Sequence, residues 1–231
     1  MILADITQDL YLNFIKEDRY LWLLDGLKTT LLITFFAAIL GIILGFIVAI
    51  IRSTHDKSGH FKILNAVCRV YLTVIRGTPT MIQLLIMNFV IFGSVSLDKV
   101  IVGSLAFGIN SGAYVAEIVR SGIMSIDPGQ TEAGRSLGLN FTQTMKLIIM
   151  PQAFKNVLPA LCNEFVVLLK ETSVAGYVAV QDLTKGGDII RSRTYDAWTP
   201  LLIVAAIYLI LTMVFSHFAG NVERSLRKNE R

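Results

Sequence analysis

Glu164 is the only acidic side chain set well inside an apolar stretch of this chain, with Asn163 just before it and Pro159 a turn earlier. A carboxylate at that depth carries a large penalty, or protonates, unless a cation or a water-filled cavity compensates it. Asn110 and Ser111 stand at a comparable depth in a second stretch, between Gly108 and Gly112, which allow close backbone approach. Gln83 and Asn88 follow a Thr78-Pro79 break in a third. Hydrogen bonding between helices is one account of these groups. A shared polar cavity for a small solute is the favoured one, because the groups converge on one depth from three stretches.

Charged groups near the stretch ends read more plainly. Glu117 and Arg120 are three residues apart, the spacing of a local ion pair. Arg69 and Arg76 are two helical turns apart on one face, and Arg76 precedes Gly77 and Pro79, a helix break. Arg76 and Pro79, with Glu117 and Arg120, are read as structural or gating groups. Arg76 either satisfies carbonyls freed at the break or pairs with Glu117. His55, His60 and His217 read as solvated or interfacial, and Cys68 and Cys162 as packed thiols. No zinc-ligand spacing, H-E-x-x-H or G-x-S-x-G occurs, so a membrane-embedded enzyme lacks its constellation.

The elements that must hold these groups follow from composition. Apolar residues make up 54% of the 231 residues and charged ones only 16%, against roughly 25% charged in an average soluble protein. The mean hydropathy is +0.62. So few charges cannot cover that much apolar surface in water. This excludes a cytosolic enzyme, a disordered tail and a secreted disulfide scaffold. A spanning helix needs about 20 apolar residues, and five stretches qualify: 27–51, 62–97, 100–119, 145–169 and 197–222. The fourth is the weakest, carrying Lys146, Lys155 and Glu164 and two prolines, Pro151 and Pro159. The expected fold is all-α, a single polytopic transmembrane domain over residues 1–231. Ala37, Gly41, Gly45 and Ala49 line one face of the first span and invite close helix packing. No basic patch precedes that span, which is read as a retained anchor rather than a signal peptide.

Loop charges orient the chain. The segment through Lys28 holds three basic and five acidic residues, Asp5 among the latter. The loop 52–62 holds three against one, and the segment 120–155 and the tail 223–231 hold four against two each. The stretch 170–196 balances at four and four. The positive-inside rule then puts the N-terminus outside and the C-terminus in the cytoplasm of a cell-membrane protein. The same basic loops account for the net charge of +4 without nucleic acid.

The segment between the third and fourth spans has its own start and stop signals. Asp127 before Pro128 is a helix N-cap with proline in the first turn, and Gly138 is a stop. A short cytoplasmic helix over 128–137 is expected, with helical spacing resuming at 142–149. Such an element is suited to docking into a partner. Glu132, Ala133 and Gly134, then Gly138, Ile148, Met150 and Pro151, closely resemble the EAA loop of ATP-binding-cassette importer permeases. Gly134 replaces the family's second Ala and Met150 its Leu, while the spacing is kept. Gly134 lowers helix propensity by about 1 kcal/mol relative to Ala. Arg76-Gly77-Thr78-Pro79 with Gln83 resembles the polar amino acid permease subfamily. So do Ala113 to Glu117 with Arg120, and Asn163-Glu164-Phe165 with Lys170 to Ser173.

The resemblance implies a type I importer permease without catalysis of its own, coupled through Glu132, Ala133, Gly134 and Gly138 to a separate ATPase in two copies. ATP and Mg would be held there, and no cofactor by this chain, which has no G-x-x-x-x-G-K-[ST] loop. It also implies a second permease subunit, same or sister, and an extracytoplasmic amino-acid-binding protein. Glu164, Asn110, Ser111, Gln83 and Asn88 are the expected solute contacts. Glu164 leans the solute toward a basic amino acid. The alternative is a secondary amino acid or ion transporter coupled through Glu164, which leaves the docking loop unexplained and shows no inverted repeat.

Overall fold

The computed structural model describes residues 7–228; Asp5 of the N-terminal charge count and Glu230 and Arg231 of the tail lie outside them. Every regular element among the described residues is helical. These are α1 (Tyr20–Ser58), α2 (Lys62–Gly77), α3 (Thr80–Ile86), α4 (Lys99–Met124) and α5 (Pro128–Ser136). There follow α6 (Phe141–Thr144), α7 (Met150–Glu171), α8 (Leu183–Thr194) and α9 (Trp198–Lys228). Wider π turns occupy Met87–Ile91 and Met145–Ile149.

Among the described residues three stretches are long and apolar enough to cross a membrane, namely Tyr20–Asp56, Lys99–Met124 and Trp198–Leu226. The pair Lys62–Gly77 and Thr80–Ile91 makes a fourth, bent at its break. The second span expected over 62–97 is therefore two helices. Thr78 and Pro79 are extended, with ψ of 148° and 135°, because proline offers no N–H and pushes its predecessor out of the helical region. α7 has the length, at 22 residues, but Lys155, Glu164, Lys170 and Glu171 leave it outside the set that composition alone carries across. Pro151 does not interrupt it. That residue sits in the first turn of α7, where a missing N–H is tolerated.

The chain forms two compact units. The first contains the described residues up to Ala38, Pro79–Gly108 and Val167–Val214. Its cores gather Ile33, Leu84, Phe107 and Leu168 in one place and Leu23, Leu183, Ile190 and Val204 in another. The stretch 170–196, given no secondary structure in the sequence analysis, is ordered here as a 3-10 segment and α8. Asp182 caps α8 by accepting from the Lys185 N–H at 2.8 Å, and Leu183 N–H donates to Thr30 Oγ1 at 3.0 Å.

The second unit contains Ile39–Thr78, Ile109–Val166 and the described residues from Phe215 onward. Val115, Val119, Ile149 and Val157 form one core, and Val48, Cys68, Leu72 and Ala113 another. Gly41 and Gly45 face α4 here. A Cβ at Gly41 would come 2.9 Å from Ser111 Oγ, and one at Gly45 would overlap Val115. The small-residue face thus marks a close helix crossing.

Candidate functional site

Within the second unit α4 presents polar groups on successive turns. Ser111, 2% exposed, donates to Glu164 Oε1 of α7 at 2.9 Å. Asn110 beside it is 1% exposed. One turn on, the Arg76 guanidinium lies 5.7 Å from the Tyr114 ring centroid, within reach of a cation–π attraction. Another turn on, Glu117 meets Arg52 at 3.2 Å, Arg120 at 3.4 Å and Arg76 at 3.7 Å. Of the two roles weighed for Arg76, contact with Glu117 is the one it has. Arg52, counted in the sequence only as a loop charge, is Glu117's nearest cation. No spacing rule could have found it, because the two residues are 65 apart.

Gln83 and Asn88 belong to the first unit. Asn88 lies buried in the π turn after α3 and accepts from Lys99 Nζ at 2.9 Å. Gln83 is half-buried on α3. Ser111 and Glu164, two of the five solute candidates, are joined directly.

The segment 127–149 is built almost wholly from local bonds. Asp127 accepts from Gly129 N–H at 2.7 Å and starts α5. Gly138 N–H donates to Arg135 O at 2.9 Å and Leu139 N–H to Gly134 O at 3.1 Å, a Schellman closure with Gly138 at φ +80°. Nothing lies within 4 Å of a Cβ built at Gly138; glycine is required there by its backbone and not by crowding. Asn140 and Gln143 form a reciprocal capping box that opens α6. Gly134 is buried, and a Cβ would come 2.8 Å from Thr144 Cγ2. The family's second Ala would therefore collide, which propensity alone does not reveal. Gln152 Nε2 donates to Gln130 Oε1 at 3.3 Å and Asn156 Nδ2 to Ser125 Oγ at 3.0 Å, tying the start of the segment to α7. Glu132 and Ala133 face outward, as do Leu137 (78% exposed) and Leu147 (61%). Sequence reasoning missed Asn140, Gln143, Thr144 and Gln152. The Asn-x-x-Gln pattern was the available signal for the first two.

The family model of binding-protein-dependent transport system inner membrane components matches residues 41–228. The chain is 34% identical to the putative glutamine transport system permease protein of Rickettsia typhi, over 91% of this chain and 95% of that one. It is 35% identical to the arginine transport system permease protein of Bacillus subtilis, over 90% and 94%. A crystal structure of an amino acid ABC transporter with histidines superposes with a TM-score of 0.83 at 41% identity, covering 92% of this chain and 98% of that one.

Proposed function

This chain belongs to the family of binding-protein-dependent transport system inner membrane components, and from that premise we propose how its parts divide the work. It is a multi-pass permease subunit of an ATP-driven amino acid importer, and ATP is hydrolysed by a separate subunit. The secondary-transporter reading falls with that membership. Our reading adds that α5 and its flanking turns form the contact with the ATPase. The closed and capped geometry of 127–144, with Leu137 and Leu147 exposed beside Glu132, supports it. Two ATPase copies, a second permease subunit, an extracytoplasmic binding protein and an outside N-terminus complete the proposal.

The solute reading rests on the Ser111–Glu164 bond. The hydroxyl orients the carboxylate, whose charge at that depth favours a cation beside it. An amino acid with a basic side chain supplies that cation, and a polar neutral one needs it less. The relatives named for glutamine and arginine transport bracket this choice. Uptake into proteoliposomes by the reconstituted importer tests it. Glu164→Gln should lower uptake of a basic amino acid by about tenfold or more, the scale of one charged hydrogen bond, with neutral uptake retained. Unchanged uptake of both would remove Glu164 from the site.

A further inference from the structure

The arginines around Glu117 outnumber what one carboxylate can neutralise. Arg52, Arg76 and Arg120 all contact it, and Arg69 lines the same cleft of about 390 Å³ with Thr73. Arg69 has no hydrogen bond or ion pair to any described residue. Guanidinium groups do not shed their protons in proteins, so the cleft keeps an excess of positive charge. Arg69 and Arg76 are exposed, on a helix whose Val67, Val70 and Val74 are also exposed (62%, 63% and 52%). Those valines line an apolar groove of about 520 Å³ that also takes in Tyr71. Arg52 and Arg120 each directly follow an apolar run, the position at which a helix meets the headgroup layer. A basic cleft at a helix end, with an apolar groove on the same helix, matches a molecule with an anionic head and a hydrocarbon tail.

We propose that this is a binding site for an anionic phospholipid, with its phosphate among Arg52, Arg69 and Arg76 and an acyl chain along Val67, Val70 and Val74. The planar guanidinium fork suits two phosphate oxygens at once. A zwitterionic headgroup brings its own cation into a cleft that already has too many, so the site selects against it. Basic pockets between membrane helices hold anionic headgroups by the same chemistry. Glu117 then acts as the spacer that keeps Arg52 and Arg76 within reach of one phosphate.

Native mass spectrometry of the intact transporter, exchanged into micelles with equal phosphatidylglycerol and phosphatidylcholine, tests this independently of transport. Phosphatidylglycerol should be retained about tenfold over phosphatidylcholine, the scale of one charge-assisted contact. Arg69→Gln and the Arg69→Gln/Arg76→Gln pair should erase most of that preference, and Arg69→Lys should keep part of it. Thermal unfolding in the same micelles checks that the variants are folded; Arg69 is exposed, so Arg69→Gln should unfold with the wild type. Equal retention of the two lipids by the wild type overturns the proposal, and so does an unchanged preference in folded Arg69→Gln and the double variant. Displacement of the lipid by millimolar inorganic phosphate would assign the cleft to free phosphate instead. An altered KM for the solute in Arg69→Gln, with lipid preference intact, would assign the arginines to the solute carboxylate and equally overturn it.

Discussion

The segment 127–149 and the α4 face bearing Ser111, Tyr114 and Glu117 are both polar regions of one compact unit, yet they are held in opposite ways. The caps of the first join residues five apart or fewer, as in Asp127 with Gly129, Asn140 with Gln143 and Leu139 with Gly134. The second depends on partners 53 and 65 residues away, Glu164 for Ser111 and Arg52 for Glu117. A region closed by local bonds can keep its shape while a partner comes and goes. A region assembled from four helices changes whenever those helices move.

The sharpest way to break this contrast is at Gly138. A β-branched residue is a genuine outlier at φ +80°, whereas asparagine enters the left-handed region readily. Gly138→Val should reduce transport-coupled ATP hydrolysis by tenfold or more, roughly the effect of a 1–2 kcal/mol distortion concentrated at one interface. Gly138→Asn should stay near wild type, since space around the position is open. Equal activity of the two variants would mean that the backbone turn is not what the partner reads.

Glu117 offers the matching test on the tertiary side. Glu117→Gln leaves Arg52, Arg76 and Arg120 facing one another without their shared carboxylate. A loss of about 2 kcal/mol is expected for a half-buried network. The unfolding midpoint should drop by roughly 4–8 °C for a chain of this size, and high salt should recover part of it. An unchanged midpoint would show that the network contributes geometry without stability.

The smallest effect concerns pH in the first unit. Burial pushes the Asp182 carboxyl up to about 6 from 3.8, against hydrogen bonds from the Lys185 and Asp182 backbone that lower it. The folded state therefore binds the proton more tightly than the unfolded one. Stability is highest below the unfolded value, falls as pH rises through the window from about 4 to about 6, and stays low above it. Asp182→Asn keeps an N-cap acceptor for α8 and removes the slope. It should gain about 1–3 kcal/mol at pH 7.5 and nothing at pH 4, read from unfolding midpoints across that range. A pH profile that keeps its slope in the variant would place the titrating group elsewhere.

Much of this molecule is legible before any folding is known. Composition required membrane helices because charge was too sparse for water; 27–51 and 100–119 fall within observed helices, as does 197–222 but for its first residue. Asp127, Pro128 and Gly138 marked α5 to within a residue, since caps and stops act on their immediate neighbours. The limits of reading are as specific. Thr78-Pro79 was seen as a break but not as the end of one helix and the start of another. The stretch 170–196 offered only its charges and the resemblance at Lys170 to Ser173, because α8 packs on Leu23, which lies far away in the chain.

By itself, then, the sequence determined the medium, three of the helices long and apolar enough to cross it and the start and stop of α5. Each of these depends on hydropathy or on bonds closed within a turn. Tertiary structure alone decided that Gly134 must lack a side chain against Thr144, that Glu117 gathers three arginines, and that Ser111 holds Glu164 while Asn88 is held by Lys99. Those outcomes depend on which helix faces meet. The facing is set by volumes such as those at Gly41 and Gly45, which no single stretch of sequence records.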